Sequence, residues 1–338
     1  MKAVGLTRYL PIDDPQALLD VELPQPVPGP RDLLVKVEAI SVNPVDTKVR
    51  APKAQVEEVP RVLGWDAAGT VVAVGAEVTL FRPGDEVFYA GSITRAGANS
   101  EFHAVDERIV ARKPRTLDFA ASAALPLTAL TAWEALFDRL RVSPQGADAG
   151  KSVLIIGGAG GVGSIAIQLA KTLGKLRVIA TASRPASAEW VRSLGADDVV
   201  DHFGDLPAQL RDIGHPEVDY VLIFNDTDHH FPAAAEVIRP QGGICTIVEN
   251  AKPVPVELLK AKSAAFHWEF MFTRAMFETP DMIEQHKILS EVARLVDGGT
   301  LRTTVGEQLG TINAANVRRA HQLLEGGRAI GKLVLSGF

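Results

Sequence analysis

The chain has almost no sulfur nucleophile: one cysteine, Cys245, in 338 residues. That excludes a disulfide within the chain and any metal site built from several thiolates. Neither sign of charge dominates. Lys and Arg total 35 against 41 Asp and Glu, a formal net charge of −6, which argues against a nucleic-acid or other polyanion surface. No apolar run reads as long enough to span a bilayer. The opening Met1-Lys2-Ala3-Val4-Gly5-Leu6 has no signal-peptide core and reads as a first strand, so a cytoplasmic protein without membrane contact is expected. A hydrophobic content of 46% over this length leaves room for two domains, each with its own core.

Glycine is where the sequence is rich. Val153-Leu154-Ile155-Ile156 reads as a strand buried on both faces, followed by Gly157-Gly158-Ala159-Gly160-Gly161-Val162-Gly163. From Val162 the apolar positions take helical spacing through Leu173, and Gly174 closes the helix. Gly158, Gly160 and Gly163 fall in the spacing G-x-G-x-x-G. In that pattern the first glycine allows the tight turn, the second lets the backbone approach a pyrophosphate, and the third lets helix pack on strand. Because the motif follows a strand and opens a helix, it predicts a dinucleotide whose diphosphate sits at the helix N-terminus.

Residues 1–125 read as short alternating strands cut by Pro and Gly, the pattern of a small, partly closed antiparallel barrel. Helical spacing starts near residue 118. Residues 151–250 alternate strands with helices, the rhythm of βαβ units and a parallel sheet. Helices near 281–297 and 313–326 and a strand Gly331–Leu335 follow, and a terminal strand there suggests that the chain returns to its first domain. The only dense group of metal-ligand types, Asn225-Asp226-Thr227-Asp228-His229-His230, reads as a polar loop and helix start with Asp226 or Thr227 as N-cap.

Asn43-Pro44-Val45-Asp46, Gly64-Trp65-Asp66-Ala67-Ala68-Gly69, Arg82-Pro83-Gly84-Asp85, the glycine turn and Gly331-Lys332-Leu333-Val334-Leu335 occur in the order found in medium-chain dehydrogenases/reductases. Across essentially the whole chain the sequence resembles that superfamily, and within it the zinc-independent quinone oxidoreductase (zeta-crystallin-like) branch. The resemblance implies an α/β protein: a discontinuous GroES-like β-barrel catalytic domain, residues 1–125 and 265–338, around a doubly wound Rossmann domain, residues 126–264. It also implies a homodimer. The zinc alcohol dehydrogenases of the superfamily read Gly-His-Glu where this chain has Gly64-Trp65-Asp66, and carry a liganding Cys near Asn43. An indole offers Zn²⁺ no lone pair and an amide is a poor ligand, so no metal is expected.

Hydride reduction of a simple ketone leaves a full charge on one oxygen that something must stabilise, and in the zinc alcohol dehydrogenases it is the metal. Reduction of a quinone or an α,β-unsaturated carbonyl spreads that charge by conjugation, and ordinary hydrogen-bond donors suffice. The expected donors are Asn43, Asp46, Thr128 and Thr131, with Lys48, where relatives carry Tyr, as a proton donor or a solvated side chain. No acid stands about 20 residues past the fingerprint to hold a ribose hydroxyl. Ser183-Arg184 stands there instead and suits a 2′-phosphate, so NADPH is the expected coenzyme. Gly158, Gly160, Gly161, Val162, Gly163 and Phe224 complete the expected cofactor contacts, and the resemblance adds His202 and Arg328. An NADPH-dependent quinone or enone reductase is therefore the leading expectation. A zinc-type alcohol dehydrogenase and a non-catalytic, crystallin-like NADPH-binding protein are the alternatives.

Overall fold

A computed structural model describes residues 1–338. Eight strands come first: β1 (Lys2–Tyr9), β2 (Leu19–Glu22), β3 (Asp32–Val42), β4 (Lys53–Val62), β5 (Asp66–Val74), β6 (Glu86–Tyr89), β7 (Phe102–Asp106) and β8 (Val110–Arg112). Six follow: β9 (Ser152–Ile156), β10 (Arg177–Thr181), β11 (Asp198–Val200), β12 (Val218–Ile223), β13 (Ile238–Thr246) and β14 (Ala265–Trp268). The last two are β15 (Val305–Gln308) and β16 (Lys332–Ser336). The chain divides into two compact units, residues 1–130 with 272–338, and residues 131–271.

In the first unit a seven-stranded sheet runs β15-β16-β3-β5-β6-β8, with β7 also on β3, beside a three-stranded sheet β2-β1-β4. Strand β3 supplies the core from Leu33, Leu34, Val35, Val37, Ala39 and Ile40, while Lys36 faces solvent. It runs antiparallel to both neighbours, with Ser41 opposite Asp66 and Val42 opposite Leu333. The C-terminal end of β3 is thereby flanked by the first residues of β5 and β16.

The second unit is a six-stranded parallel sheet in the order β11-β10-β9-β12-β13-β14. Numbered along the chain this is 3-2-1-4-5-6, the Rossmann order. Every residue of β9 is buried, as its uncharged sequence requires. Strand β14 pairs in parallel with β13, so residues 265–268 lie in the parallel sheet, and the two units divide at 130/131 and 271/272 rather than at the expected 125/126 and 264/265.

The expectation of no membrane-length run is also corrected. The helical run Phe119–Arg139 passes that test by length and composition, but 83% of its apolar window is buried inside the protein, as in a core helix. It ends in a π turn over Glu134–Arg139.

Candidate active site and coenzyme site

In the first unit the meeting of β3, β5 and β16 carries buried charge. Asn43 follows β3 in extended conformation and caps the short helix Pro44–Arg50, with Pro44 opening it. Three residues into the helix, Asp46 Oδ2 reaches back to accept the Asn43 backbone N–H at 2.8 Å. The Asn43 side chain turns the other way. Its Nδ2 donates to Asp66 Oδ2 at 2.8 Å and, more weakly, to the Ser41 carbonyl at 3.4 Å. Its Oδ1 accepts from Lys332 Nζ. Lys332 also donates to the Val42 carbonyl at 2.9 Å and pairs with Asp66 Oδ2 at 3.1 Å. The remaining oxygen of Asp66 accepts the Leu127 N–H, 2.7 Å away, at the first turn of the helix Pro126–Trp133.

Asn43, Asp46, Asp66 and Lys332 are each at most 3% exposed. Burial pushes the Asp46 carboxyl up to about 7, against the Asn43 N–H and Lys332, which lower it, while Asp66 raises it further. Burial also raises Asp66 and lowers Lys332, and the attraction between the two opposes both shifts. Asp46 Oδ1 is buried and has no partner.

The expected donors fall in different surroundings. Both amide hydrogens of Asn43 are engaged within the protein. The Thr128 hydroxyl is likewise occupied, donating to the Leu125 carbonyl at 3.1 Å. Thr131 is buried, as Asp46 is. Lys48 is exposed in the last turn of the Pro44–Arg50 helix and stands outside the buried group. Asp66 and Lys332 were not foreseen as site residues. The available signal was charge in otherwise apolar strand sequence: Asp66 against Ala67-Ala68 and Lys332 against Leu333-Val334-Leu335.

In the second unit the turn after β9 forms as expected, with a redistribution of glycine roles. The tight turn falls on Gly157 at φ +86°, one residue before the motif. A Cβ on Gly158 would meet Ala180 Cβ at 3.0 Å, and one on Gly163 would meet the Gly157 carbonyl at 2.3 Å, so both serve packing. Gly160 is extended at φ −73° and is the N-cap of the helix Gly161–Thr172. A Cβ there would touch only the Gly157 carbonyl, at 3.4 Å. The space before the helix N-terminus is therefore open at Gly160, where a diphosphate would approach the N–H groups of Gly161, Val162 and Gly163.

Thr181, at the end of β10, accepts the Gly157 N–H at 3.0 Å, a tie that the sequence reading missed. Phe224 lies against Gly157 and donates its N–H to Ile156 at 3.0 Å. Ser183 is half-buried and Arg184 exposed at the start of the next helix, where the Arg184 N–H is capped by Ser187 Oγ at 3.1 Å. His202 is near enough to feel Arg184, but burial first and then His229 and Arg184 lower its pKa. These effects favour its neutral imidazole. Arg328 is exposed in the other unit, just beyond the helix Ala314–Glu325. In the 225–230 segment Asp226 is the N-cap, accepting the His229 N–H at 3.0 Å.

Two families match this architecture. The alcohol dehydrogenase GroES-like domain covers residues 29–115 and the zinc-binding dehydrogenase domain residues 194–335. A zinc-type alcohol dehydrogenase-like protein of Staphylococcus aureus is 45% identical over 99% of this chain and 100% of its own. The chain belongs to the medium-chain dehydrogenase/reductase superfamily. The 2-methylene-furan-3-one reductase of Solanum lycopersicum is 32% identical over 99% of this chain and 79% of its own. A crystal structure from Rhizobium etli, provisionally named a zinc-dependent alcohol dehydrogenase, superposes with a TM-score of 0.95 at 54% identity, covering 100% of this chain and 98% of its own. The quinone oxidoreductase of Pseudomonas syringae gives a TM-score of 0.83 at 27% identity over 99% of both chains. A mycobacterial protein solved with NADPH gives 0.84 at 29%, again over 99% of both.

Those names raise zinc, and the residues present do not fit it. Trp65 is fully buried with its Nε1–H unpartnered, and an indole N–H is a donor only. Both oxygens of Asp66 are engaged by Lys332, Asn43 and Leu127. Cys245 is buried in β13, in the other unit. No group of three or more His, Cys, Asp or Glu side chains gathers to hold an ion. The glycine turn, by contrast, fits a dinucleotide.

Proposed function

We propose that the protein reduces a quinone or an α,β-unsaturated carbonyl with hydride from NADPH and without a metal ion. The observation that carries this reading is the Trp65–Asp66 pair. The donor-only indole stands where the zinc enzymes have a ligand, and the carboxylate beside it is held by an internal lysine. A substrate whose developing charge is spread by conjugation does not need the metal. Relatives named for 2-methylene-furan-3-one and for quinones support the substrate class, and a relative solved with NADPH supports the coenzyme.

Bound NADPH supplies the hydride. Gly160, Gly161, Val162 and Gly163 would hold its diphosphate, Gly158 packs beneath the turn, and Phe224 packs beside it. Ser183 and Arg184 would hold the 2′-phosphate, with His202 as a neighbour in the same unit. Asp46, whose carboxyl titrates at about 7, is the acid that returns a proton to the substrate oxygen. The Asn43 N–H holds that acid in place, and the Thr128 hydroxyl ties back to the Leu125 carbonyl. A cytoplasmic homodimer completes the reading.

The test is NADPH oxidation followed with three acceptors: a quinone, a conjugated enone and the matching saturated ketone. Turnover with either or both of the first two, and none with the third, is expected. Turnover with the saturated ketone alone would overturn the proposal.

A further inference from the structure

The buried group around Lys332 contains one cation and two carboxylates, and its hydrogen bonds say which of them is ionised. Lys332 Nζ faces three acceptors: the Val42 carbonyl, Asn43 Oδ1 and Asp66 Oδ2. Only an ammonium has three N–H bonds to give, because a neutral amine would turn a lone pair toward one of these oxygens. Asp66 faces only donors: Asn43 Nδ2 and Lys332 on one oxygen, and the Leu127 N–H on the other. A proton on Asp66 would oppose one of them, so Asp66 is the carboxylate of the pair. Lys332 and Asp66 together are then neutral.

Asp46 is the excess charge. It has one donor, the Asn43 N–H, on Oδ2, and its buried Oδ1 has none. An ionised carboxylate with one partner, beside a second carboxylate already ionised, is the costly state there. The unpartnered Oδ1 is the atom of the group left for a proton. We propose that Asn43, Asp46, Asp66 and Lys332 form a proton store that holds one proton on Asp46, with Lys332 and Asp66 as the positioning residues that decide where it sits.

The inference rests on the reading of Asp46 as the acid of the reduction. Once the conjugated carbon has taken up hydride, which bound NADPH would supply, the Asp46 O–H bond would break and a substrate O–H bond would form. The carboxylate left behind regains its proton from solvent. The charged groups acting on Asp46 are Lys332 from β16 and Asp66 from β5. On its own helix Lys48 is exposed. Arg50 pairs with Glu325 and donates to His321 at 3.3 Å, both on the helix Ala314–Glu325 packed alongside. Burial and Arg50 push His321 down to about 3, so it is neutral across the working range.

Removing either positioning charge should move Asp46 in opposite directions, which a purely structural role would not do. Lys332→Met removes the cation and should raise the Asp46 midpoint by about one pH unit or more, whereas Asp66→Asn leaves the cation uncompensated and should lower it by a similar amount. The readout is infrared difference titration of the protonated carboxyl band in the full-length protein. That band should titrate near neutral pH in the parent and vanish in Asp46→Asn. In parallel, the kcat pH profile with NADPH and a quinone should shift in the same directions, with KM for NADPH unchanged and partial return in Lys332→Arg. If Lys332→Met does not fold, the downward shift in Asp66→Asn and the band lost in Asp46→Asn decide. A parent with no such band, a band that survives Asp46→Asn, or shifts of the same sign in both variants would overturn the proposal. Opposite shifts in a parent that reduces neither quinone nor enone would uphold the proton store and refute the proposed reaction.

Discussion

Between Gly157 and Gly163 the second unit keeps side chains out and leaves the first N–H groups of a helix facing open space. Around Lys332 the first unit fills every position with a charged or amide group, and all but one polar atom has a partner. The first arrangement suits a large anion arriving from outside. The second suits a charge that stays inside and is moved by one proton. The same chain thus handles an anion by omission in one unit and by compensation in the other.

The contrast breaks most severely at the glycines. Gly163→Ala places a Cβ 2.3 Å from the Gly157 carbonyl and should cost the second unit its fold, because neither backbone can yield. Gly160→Val meets only an ordinary contact at 3.4 Å. It should fold like the parent and lose NADPH binding. Thermal melts with NADPH titrations on both variants check this, and equal melting of the two would show that the turn's glycines do one job rather than two.

The next largest effect is on stability against pH. Burial pushes the Asp46 carboxyl of the folded chain up to about 7 from an ordinary 3.8. Between those values the folded state holds a proton that the unfolded state has released, so this group's contribution falls as pH rises from about 4 to about 7. At about 1.4 kcal/mol per pH unit, its ceiling is about 4 kcal/mol. Buried His103, pushed down to about 4, and His321 give the opposite slope below pH 6.5, because they must take up a proton on unfolding. The difference between parent and Asp46→Asn in denaturant melts isolates the first term. The variant's relative stability should grow from pH 4 to 7 and then level off, and a flat difference would place Asp46 among ordinary carboxylates.

The smallest effect is at the coenzyme's far end. Arg184→Asp removes a charge-assisted contact of roughly 1.5–3 kcal/mol and adds repulsion, so NADPH preference should fall on the order of tenfold to a hundredfold in the kcat/KM ratio against NADH. Ser183 should keep the reversal incomplete. An unchanged ratio would remove Arg184 from phosphate recognition.

The two sites differ in the same way in how far the sequence shows them. Glycine spacing, the preceding strand and the following helix are contiguous, so the dinucleotide turn reads directly, apart from the shift of the tight bend to Gly157. The charged group joins Asn43 and Asp46 to Asp66 and to Lys332, residues that only the antiparallel register of β5-β3-β16 brings together. Asn43 and Asp46 were legible through their motif, but their partners were not. The place of β14 was hidden for a related reason: whether an apolar run near residue 265 extends the parallel sheet depends on pairing with β13, which local sequence does not encode.

The claim on which this account depends is that the chemistry runs on hydrogen-bonding groups of the chain and not on a metal. It is tested by kcat/KM for NADPH-dependent quinone or enone reduction on protein treated with a strong chelator and shown by elemental analysis to be metal-free. The account predicts the value of the untreated enzyme. Loss of turnover on treatment, restored by one equivalent of zinc, would contradict it.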